Sequence, residues 1–168
     1  MTLVLKPIAD SFRLTNSILG VCLADLKQED AKKRVRNDTG PSIAWEIGHM
    51  LDCRCKIIEL LGLTKESPYG AQYGSIGATD GSDYPDLAAY SADWEQLNHE
   101  LFDALEAATP ESVERMVPGA VHGRQTTAFE QIVFLTWHEA YHVGAVGAIR
   151  KELGYPGPAE VVAPPTAH

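Results

Sequence analysis

The sequence lacks the features that mark several large classes of protein. Its apolar runs are all far shorter than the roughly 20 residues that cross a bilayer, so we expect no transmembrane helix. The N-terminal residues, MTLVLKPIADSFRLTN, contain neither the basic segment nor the continuous apolar segment of a secretory signal. Basic residues are few: 14 Lys and Arg stand against 23 Asp and Glu, and the longest basic run is KKRVR. The net charge of -9 argues against nucleic acid or an anionic membrane as a partner.

Cysteines and phosphate-binding loops are scarce as well. Cys22, Cys53 and Cys55 form no disulfide framework, so we expect a soluble protein of the reducing cytoplasm. The stretch GSIGATDGS lacks the lysine and the strand-to-helix setting of a nucleotide-binding loop. A chain of 168 residues is expected to form one domain over 1–168 and to bury a core without metal staples. We therefore expect a bound metal ion to have a functional role and not a structural one.

Apolar periodicity and capping residues predict four helices, and no segment has the alternation of a strand. Pro41 is placed near the first position of the second helix with Ser42 beside it, and Thr127 with Glu130 forms a capping box before the fourth. Gly62 and Gly154 are natural stops for the second and fourth helices. The predicted helices cover about 7–28, 42–62, 85–108 and 128–154, with Asp83 as a cap for the third.

The segment 63–84 between the second and third helices is rich in Gly, Ser and Tyr and shows neither period. A long crossover there lets these two helices lie parallel, so we predict an all-α four-helix bundle. Tyr69, Tyr73 and Tyr84 either line a substrate mouth or pack over one end of the bundle. The tail, 155–168, is rich in proline and is predicted to be extended.

The fourth helix contains the motif H-E-x-x-H, which brings two histidines to one face. His138 and His142 are one turn apart, so both rings can reach one point beyond the helix. Leu135 and Ile149 share this face, which turns it toward the bundle interior. Such a pair is either part of a metal site or two core histidines with ordinary hydrogen bonds.

A third histidine lies on the second helix. His49 borders the apolar arc of that helix, and periodicity leaves it open between cleft and surface. Three imidazoles would suit zinc, nickel or another borderline divalent ion and leave a coordination position open. Cys53, one turn later, could approach the same site, although a buried core cysteine is the simpler interpretation. His99 is interpreted as a surface residue, and no pattern places His122 or His168.

Three stretches in this order resemble the DinB-like family of small metal-binding four-helix bundles: SIAWEIGHMLDCR, GSDYPDLAAYSADWEQL and HEAYHVGAVGAIRKELG. The resemblance covers about 41–154. In that family one histidine of the second helix and two of the last hold a metal, and these correspond here to His49, His138 and His142. The resemblance implies an up-down-down-up bundle, a zinc- or nickel-type ion with open coordination positions, and frequently a homodimer. In some relatives the metal activates a low-molecular-weight thiol for transfer or isomerisation.

Three functions remain compatible with the sequence. The first is a metal-dependent enzyme that transfers or activates a small thiol or hydrolyses a small molecule, and the second is a metal-binding bundle without turnover. The third is a zinc peptidase with Glu139 as general base, but Ala145 and Ala148 stand where one peptidase extension needs Gly and His. Glu160, the distal carboxylate, lies in the proline-rich tail. Glu139 is then expected to orient a ligand or to face solvent.

Small residues gather on the fourth helix roughly opposite the histidines: Ala140, Gly144, Gly147 and Ala148. Each small residue in a helix interior costs up to about 1 kcal/mol unless close packing compensates. The helix of a second subunit would supply that packing, which favours a homodimer. The crossover or the tail of the same chain would supply it equally well.

Overall fold

The computed structural model describes residues 4–73, 84–119 and 124–162, and these are mostly helical. There are four long helices, α1 (Lys6–Leu23), α3 (Ile43–Leu60), α5 (Leu87–Ala107) and α7 (Ala128–Glu152). The short helices are α2 (Gln28–Ala31), α4 (Gly70–Tyr73), α6 (Pro110–Glu114) and α8 (Pro158–Val162). Two short strands, β1 (Met116–Pro118) and β2 (Gln125–Thr127), pair antiparallel. The prediction of an all-α protein is confirmed.

Side-chain caps fix where the two histidine-bearing helices begin. At α3, the Oγ of Ser42 accepts a hydrogen bond from the Trp45 amide at 3.1 Å. At α7, Thr127 Oγ1 accepts from the Glu130 amide at 3.1 Å, and the Glu130 carboxylate accepts from the Thr127 amide at 2.7 Å. Gly154, with φ of +90°, follows α7 in the left-handed region that glycine tolerates. The capping box at Thr127 and the stop at Gly154 were predicted from the sequence, whereas Pro41, expected in the first turn of the second helix, precedes the Ser42 cap. These caps help to set which residues of each helix face the interior.

The central helix of the fold is α3, which packs against α5 on one side and α7 on another, while α1 packs on α7. Nearly every residue of α3 is buried. Its buried polar side chains, which include Glu46, Asp52 and Arg54, must therefore find partners inside the protein. Across the described ranges, no helix is both long enough and apolar enough to cross a bilayer.

Several boundaries differ from the predictions. The first helix ends at Leu23 and a separate turn, α2, follows, while α5 begins at Leu87, with Asp86 at its N-cap position. Asp83, the predicted cap, lies outside the described residues. The prediction of an extended tail is wrong at 158–162, where α8 forms. Proline is compatible with a first helical turn, and Glu160 accepts a hydrogen bond from the Gly157 amide at 2.7 Å.

The crossover packs onto the side of α3. Tyr73 and Tyr84 are buried. The Tyr73 ring lies directly against Gly48 of α3, where a Cβ atom would clash with it. The part of the crossover at 74–83 lies outside the described residues. The two paired strands that connect α6 to α7 were not predicted, because three residues are too few to show an alternation.

Candidate metal centre

The structure brings His49, His138 and His142 into one cluster between α3 and α7. Their ring centroids are 4.6 Å apart for His49 and His142, 5.1 Å for His49 and His138, and 4.3 Å for the α7 pair. His49 therefore faces the cleft between the helices and not the surface. His99 is exposed, as expected. His122 and His168 lie outside the described residues.

Glu46 holds His142 at the buried end of this cluster. The Glu46 side chain is 2% exposed, and its carboxylate accepts a hydrogen bond from Nδ1 of His142. A carboxylate accepts here, so Nδ1 carries the hydrogen, and Nε2 of the ring is turned away from Glu46 toward His138. A carboxylate behind an imidazole is a common way to orient a metal-binding histidine. Glu46 thus fixes the orientation of the His142 ring.

The crossover orients His49 in the same way through its backbone. Nδ1 of His49 lies 3.2 Å from the carbonyl oxygen of Tyr73. A carbonyl oxygen only accepts, so the lone pair of the neutral His49 ring is at Nε2, the atom that faces the other site residues. This contact depends on Gly48, because a side chain there would displace the Tyr73 ring. The crossover therefore contributes to the site through a main-chain atom.

His138 lies between the other donors and is neutral at pH 7. Its Nε2 is 3.2 Å from Nε2 of His142. Burial, followed by the neighbouring His142 and His49, lowers the pKa of His138 to about 4. Burial and then His142 also lower the pKa of His49. Both rings are therefore in the neutral form that binds a metal ion.

Cys53 is the fourth donor at this position. It follows His49 by one turn of α3, is 4% exposed, and places Sγ 3.8 Å from Nε2 of His49. The same sulfur lies 3.9 Å from Nδ1 of His138. Burial raises the pKa of the Cys53 thiol to about 12, so without an ion it stays protonated at pH 7. The two interpretations of Cys53 from the sequence are therefore compatible, because this cysteine is buried and also lies next to the site histidines.

Three of the four donors lie close enough to share one ion. Donor atoms of His49, Cys53 and His138 all lie within 4.8 Å of one another, so this group can hold a metal ion. His142 lies beside this group, with Nε2 3.2 Å from Nε2 of His138, whereas Cys53 Sγ contacts Nδ1 of that ring. Imidazole nitrogen and thiolate sulfur suit zinc-type ions, whereas magnesium and calcium prefer oxygen. We call these donors, together with Glu46, the histidine cluster.

Glu139, the acid of the H-E-x-x-H motif, belongs to a different group of buried residues. Its carboxylate accepts hydrogen bonds from Nε and Nη2 of Arg54 at 2.7 and 2.8 Å, and from Thr15 Oγ1 at 2.5 Å. The Arg54 guanidinium also stacks 3.8 Å from the Trp94 ring. The Glu139 side chain is 1% exposed, so the expectation that it faces solvent is wrong. We call this group the arginine cluster; its members are Thr15, Asn16, Arg54, Trp94, Asn98 and Glu139.

Aromatic rings surround the histidine cluster. The Trp45 ring stacks on His49 with 4.9 Å between centroids, Phe134 lies 5.7 Å from His138, and Tyr141 lies 5.1 Å from His142. The buried indole N–H of Trp45 has no hydrogen-bond acceptor among the described residues. It can therefore donate to a water or to a bound ligand. The apolar walls restrict water and account for the burial that lowers the pKa of His138 and His49.

Two contributors to the site were missed by sequence reasoning. Glu46 lies on the same face of α3 as His49, at i−3, so the pattern E-x-x-H carried a usable signal. The carbonyl of Tyr73 carried none, because every residue has one and only the folded crossover selects it.

The sequence profile of the DinB superfamily matches residues 14–146. This range includes all four donors and Glu46. No curated protein matches this chain significantly.

Proposed function

The chain belongs to the DinB superfamily, and on this premise we propose that it binds one divalent ion through His49, His138 and His142 and uses it on a small molecule. The observation that carries the proposal is the pairing of His142 with Glu46, which leaves Nε2 of His142 turned toward His138. A carboxylate on one nitrogen and a second imidazole beside the other is an arrangement typical of metal-binding histidines. An ion between the rings accounts for both contacts.

Zinc or nickel is the metal we propose, because the donors are neutral nitrogens with a sulfur beside them. Such an ion, when bound, acts as a Lewis acid that favours the deprotonated form of a thiol or a water. The residues of the chain orient and shield it: Glu46 and the Tyr73 carbonyl fix two rings, and Trp45 and Phe134 keep the surroundings apolar.

The substrate class we propose is a low-molecular-weight thiol for transfer or isomerisation, with hydrolysis of a small molecule as the second candidate. Three neutral ligands leave the full charge of the ion, which attracts an anionic sulfur. The three cysteines of the chain are free and buried, which suits the reducing cytoplasm where such thiols are kept reduced.

We also propose that the four long helices form an up-down-down-up bundle. The packing of α1 on α7, α7 on α3 and α3 on α5 supports this order. Arg54 of α3 supports it further, because it bonds to side chains of α1, α5 and α7. The long crossover between α3 and α5 is what a parallel pair of neighbouring helices requires.

A zinc peptidase fits this geometry poorly. The general base of such an enzyme must reach a water on the metal. Both carboxylate oxygens of Glu139 are instead bonded to Arg54, and one also accepts from Thr15. Glu160 bonds to Lys151 and to the Gly157 amide, at the start of α8, so its partners are not histidines.

The proposal is tested by metal analysis of three purified proteins, namely the wild type, His138→Ala and His99→Ala. We expect about one divalent ion per chain in the wild type and in His99→Ala, and almost none in His138→Ala, with equal helical content in all three. His138 is the better target, because removing His142 would leave Glu46 buried without a partner. Full occupancy in His138→Ala would overturn the ligand set.

The loaded protein is then screened with small thiols and electrophilic acceptors. Turnover that disappears in His138→Ala supports the enzyme, whereas stoichiometric metal without turnover favours a bundle that binds metal passively. Cleavage of peptide libraries that depends on Glu139 would restore the peptidase.

A further inference from the structure

The two helices of the site each contribute a pair of donors one turn apart. On α7 the pair is His138 and His142, and on α3 it is His49 and Cys53. We propose that Cys53 is a ligand of the ion, so that the chain itself fills the position a small thiol would take. This inference rests on the metal site proposed above and concerns its regulation.

The distances from Cys53 suit coordination beside His49 and His138. With metal–nitrogen bonds of about 2.0 Å and metal–sulfur bonds of about 2.3 Å, a tetrahedral ion separates nitrogen from sulfur by about 3.6 Å. The structure has 3.8 Å from Cys53 Sγ to Nε2 of His49 and 3.9 Å from Cys53 Sγ to Nδ1 of His138. An ion held by these three residues therefore takes Nδ1 of His138, while Nε2 of the same ring faces His142 at 3.2 Å.

The surroundings of Cys53 differ from those of the next cysteine on the same helix. Cys53 is buried with both of its polar contacts on site histidines. Cys55, equally buried, lies about 200° further round α3 and lines a small cavity with Lys65 and Tyr69. Burial alone therefore does not explain the position of Cys53. Cys55 supplies a matched control with the same chemistry on the opposite side of the helix.

Coordination by Cys53 is balanced in protons and charge. When the ion binds, the thiol gives its proton to solvent and the sulfur enters as thiolate. The charge of the ion and its ligands falls from +2 to +1, and the soft sulfur favours zinc over magnesium or manganese. A small thiol must then either displace Cys53, which takes up a proton again, or enter as a fifth ligand. Without an added thiol, Cys53 of the same chain therefore occupies the coordination position.

A different role for the same contacts is a plain hydrogen bond. If His138 binds the ion through Nε2, its Nδ1–H is free to donate to the Cys53 sulfur at 3.9 Å without any bond from sulfur to metal. The two arrangements differ in one observable. Only a metal-bound thiolate gives a charge-transfer absorption.

The experiment uses cobalt(II) added to the metal-free full chain in the presence of a reductant that is not a thiol. We expect a near-ultraviolet thiolate-to-cobalt band in the wild type and in Cys55→Ser, and its loss in Cys53→Ser. Cobalt should still bind to Cys53→Ser through the histidines, with affinity lower by about tenfold or more. Added small thiol should restore the band in Cys53→Ser, because it enters the vacated position.

The other possible results contradict either the role of Cys53 or the metal site itself. If the wild type binds one cobalt ion, seen by its visible d–d bands, yet shows no thiolate band, Cys53 is only a hydrogen-bond partner and the inference fails while the metal site stands. A band that persists in Cys53→Ser would also overturn the inference. If the wild type binds no cobalt at all, the metal site itself fails.

Discussion

Two groups of buried polar residues both join α3 to α7, and their polar atoms find partners in different ways. In the arginine cluster the positive Arg54 lies against the carboxylate of Glu139, and its remaining N–H groups reach Asn16 and Asn98. Donors and acceptors match, so the group is complete without a ligand. In the histidine cluster, nitrogens of His138 and His142 face each other at 3.2 Å, and Cys53 lies close by. A cation bound among these donors, as proposed above, would complete the group.

The difference shows how a buried polar group is to be interpreted. Arg54 and Glu139 are adjacent in space to residues of a metal-binding motif, yet the hydrogen-bond partners of Glu139 in the described part of the chain are Arg54 and Thr15. What distinguishes a site from a scaffold is whether the polar atoms satisfy one another. By this criterion the first two residues of H-E-x-x-H serve two purposes, with His138 in one cluster and Glu139 in the other.

The largest effect is expected from removing one partner of the buried ion pair in the arginine cluster. Arg54→Ala leaves the Glu139 carboxylate buried without a counter-charge, so we expect the free energy of unfolding to fall by about 3–5 kcal/mol. Urea denaturation with circular dichroism measures this. As a control, Lys6→Ala removes the exposed pair with Asp10 and should leave stability unchanged.

The milder change Glu139→Gln tests whether the two clusters are independent. It should destabilise the fold because the Arg54 charge loses its partner, and yet leave metal affinity within about tenfold, or roughly 1.4 kcal/mol. Isothermal titration of the folded variant with zinc measures this. A loss of metal as large as that of His138→Ala would mean that the clusters act as one unit.

Glu46→Gln acts on the other cluster. The amide can still contact Nδ1 of His142 but supplies no negative charge to strengthen its basicity, so we expect zinc affinity to fall by about 10–100-fold. Competition with a chromogenic chelator gives the affinity, and Glu59→Gln, an exposed residue of the same helix, is the control. Unchanged affinity in Glu46→Gln would reduce Glu46 to a packing residue.

A smaller effect concerns pH and belongs to the histidine cluster of the metal-free protein. Burial lowers the pKa of His138 from 6.5 to about 4, so near pH 5 the unfolded chain binds a proton that the folded chain does not. Stability should therefore fall as the pH is lowered from about 6.5 toward about 4. Melting temperatures between pH 7 and pH 4.5 measure this, and the decline should be shallower in His138→Ala than in His99→Ala. Parallel curves for the two variants would contradict the prediction.

The smallest effect is expected outside both clusters, on the small-residue face of α7. The tail already covers Gly147, since a Cβ there would lie 3.3 Å from Pro158, whereas one at Gly144 meets nothing within 4 Å. Gly144→Leu should therefore change the stability of one subunit by about 0.5 kcal/mol or less. The homodimer stays a prediction, and light scattering at tens of micromolar tests it. A monomer that Gly144→Leu leaves unchanged would remove it, and Gly20→Leu on α1 is the control.

Features that depend on neighbouring residues were predicted well. The capping box at Thr127 and the inward face of α7 follow from short-range patterns, and the structure has them. The partner of Glu139 was not predicted because Arg54 lies 85 positions away and helical periodicity carries no information about such pairs. The tail was predicted to be extended because it contains many prolines. Proline is, however, well tolerated in the first turn of a helix, which is where Pro158 lies in α8. Local rules therefore placed the donors, and only the fold assigned their partners.

The histidines of the site lie at different depths, and this gives metal exchange a direction. His142 is 6% exposed and fixed by Glu46, whereas His49 and His138 are half-buried. An ion held by the three histidines as proposed would meet the outer rings first and gain its bond to His142 last. On the way out the outer bonds would open first, while His142 retained the ion. A competing chelator thus captures an ion that is still tethered, so the rate of release should rise with chelator concentration, without a limit set by spontaneous dissociation.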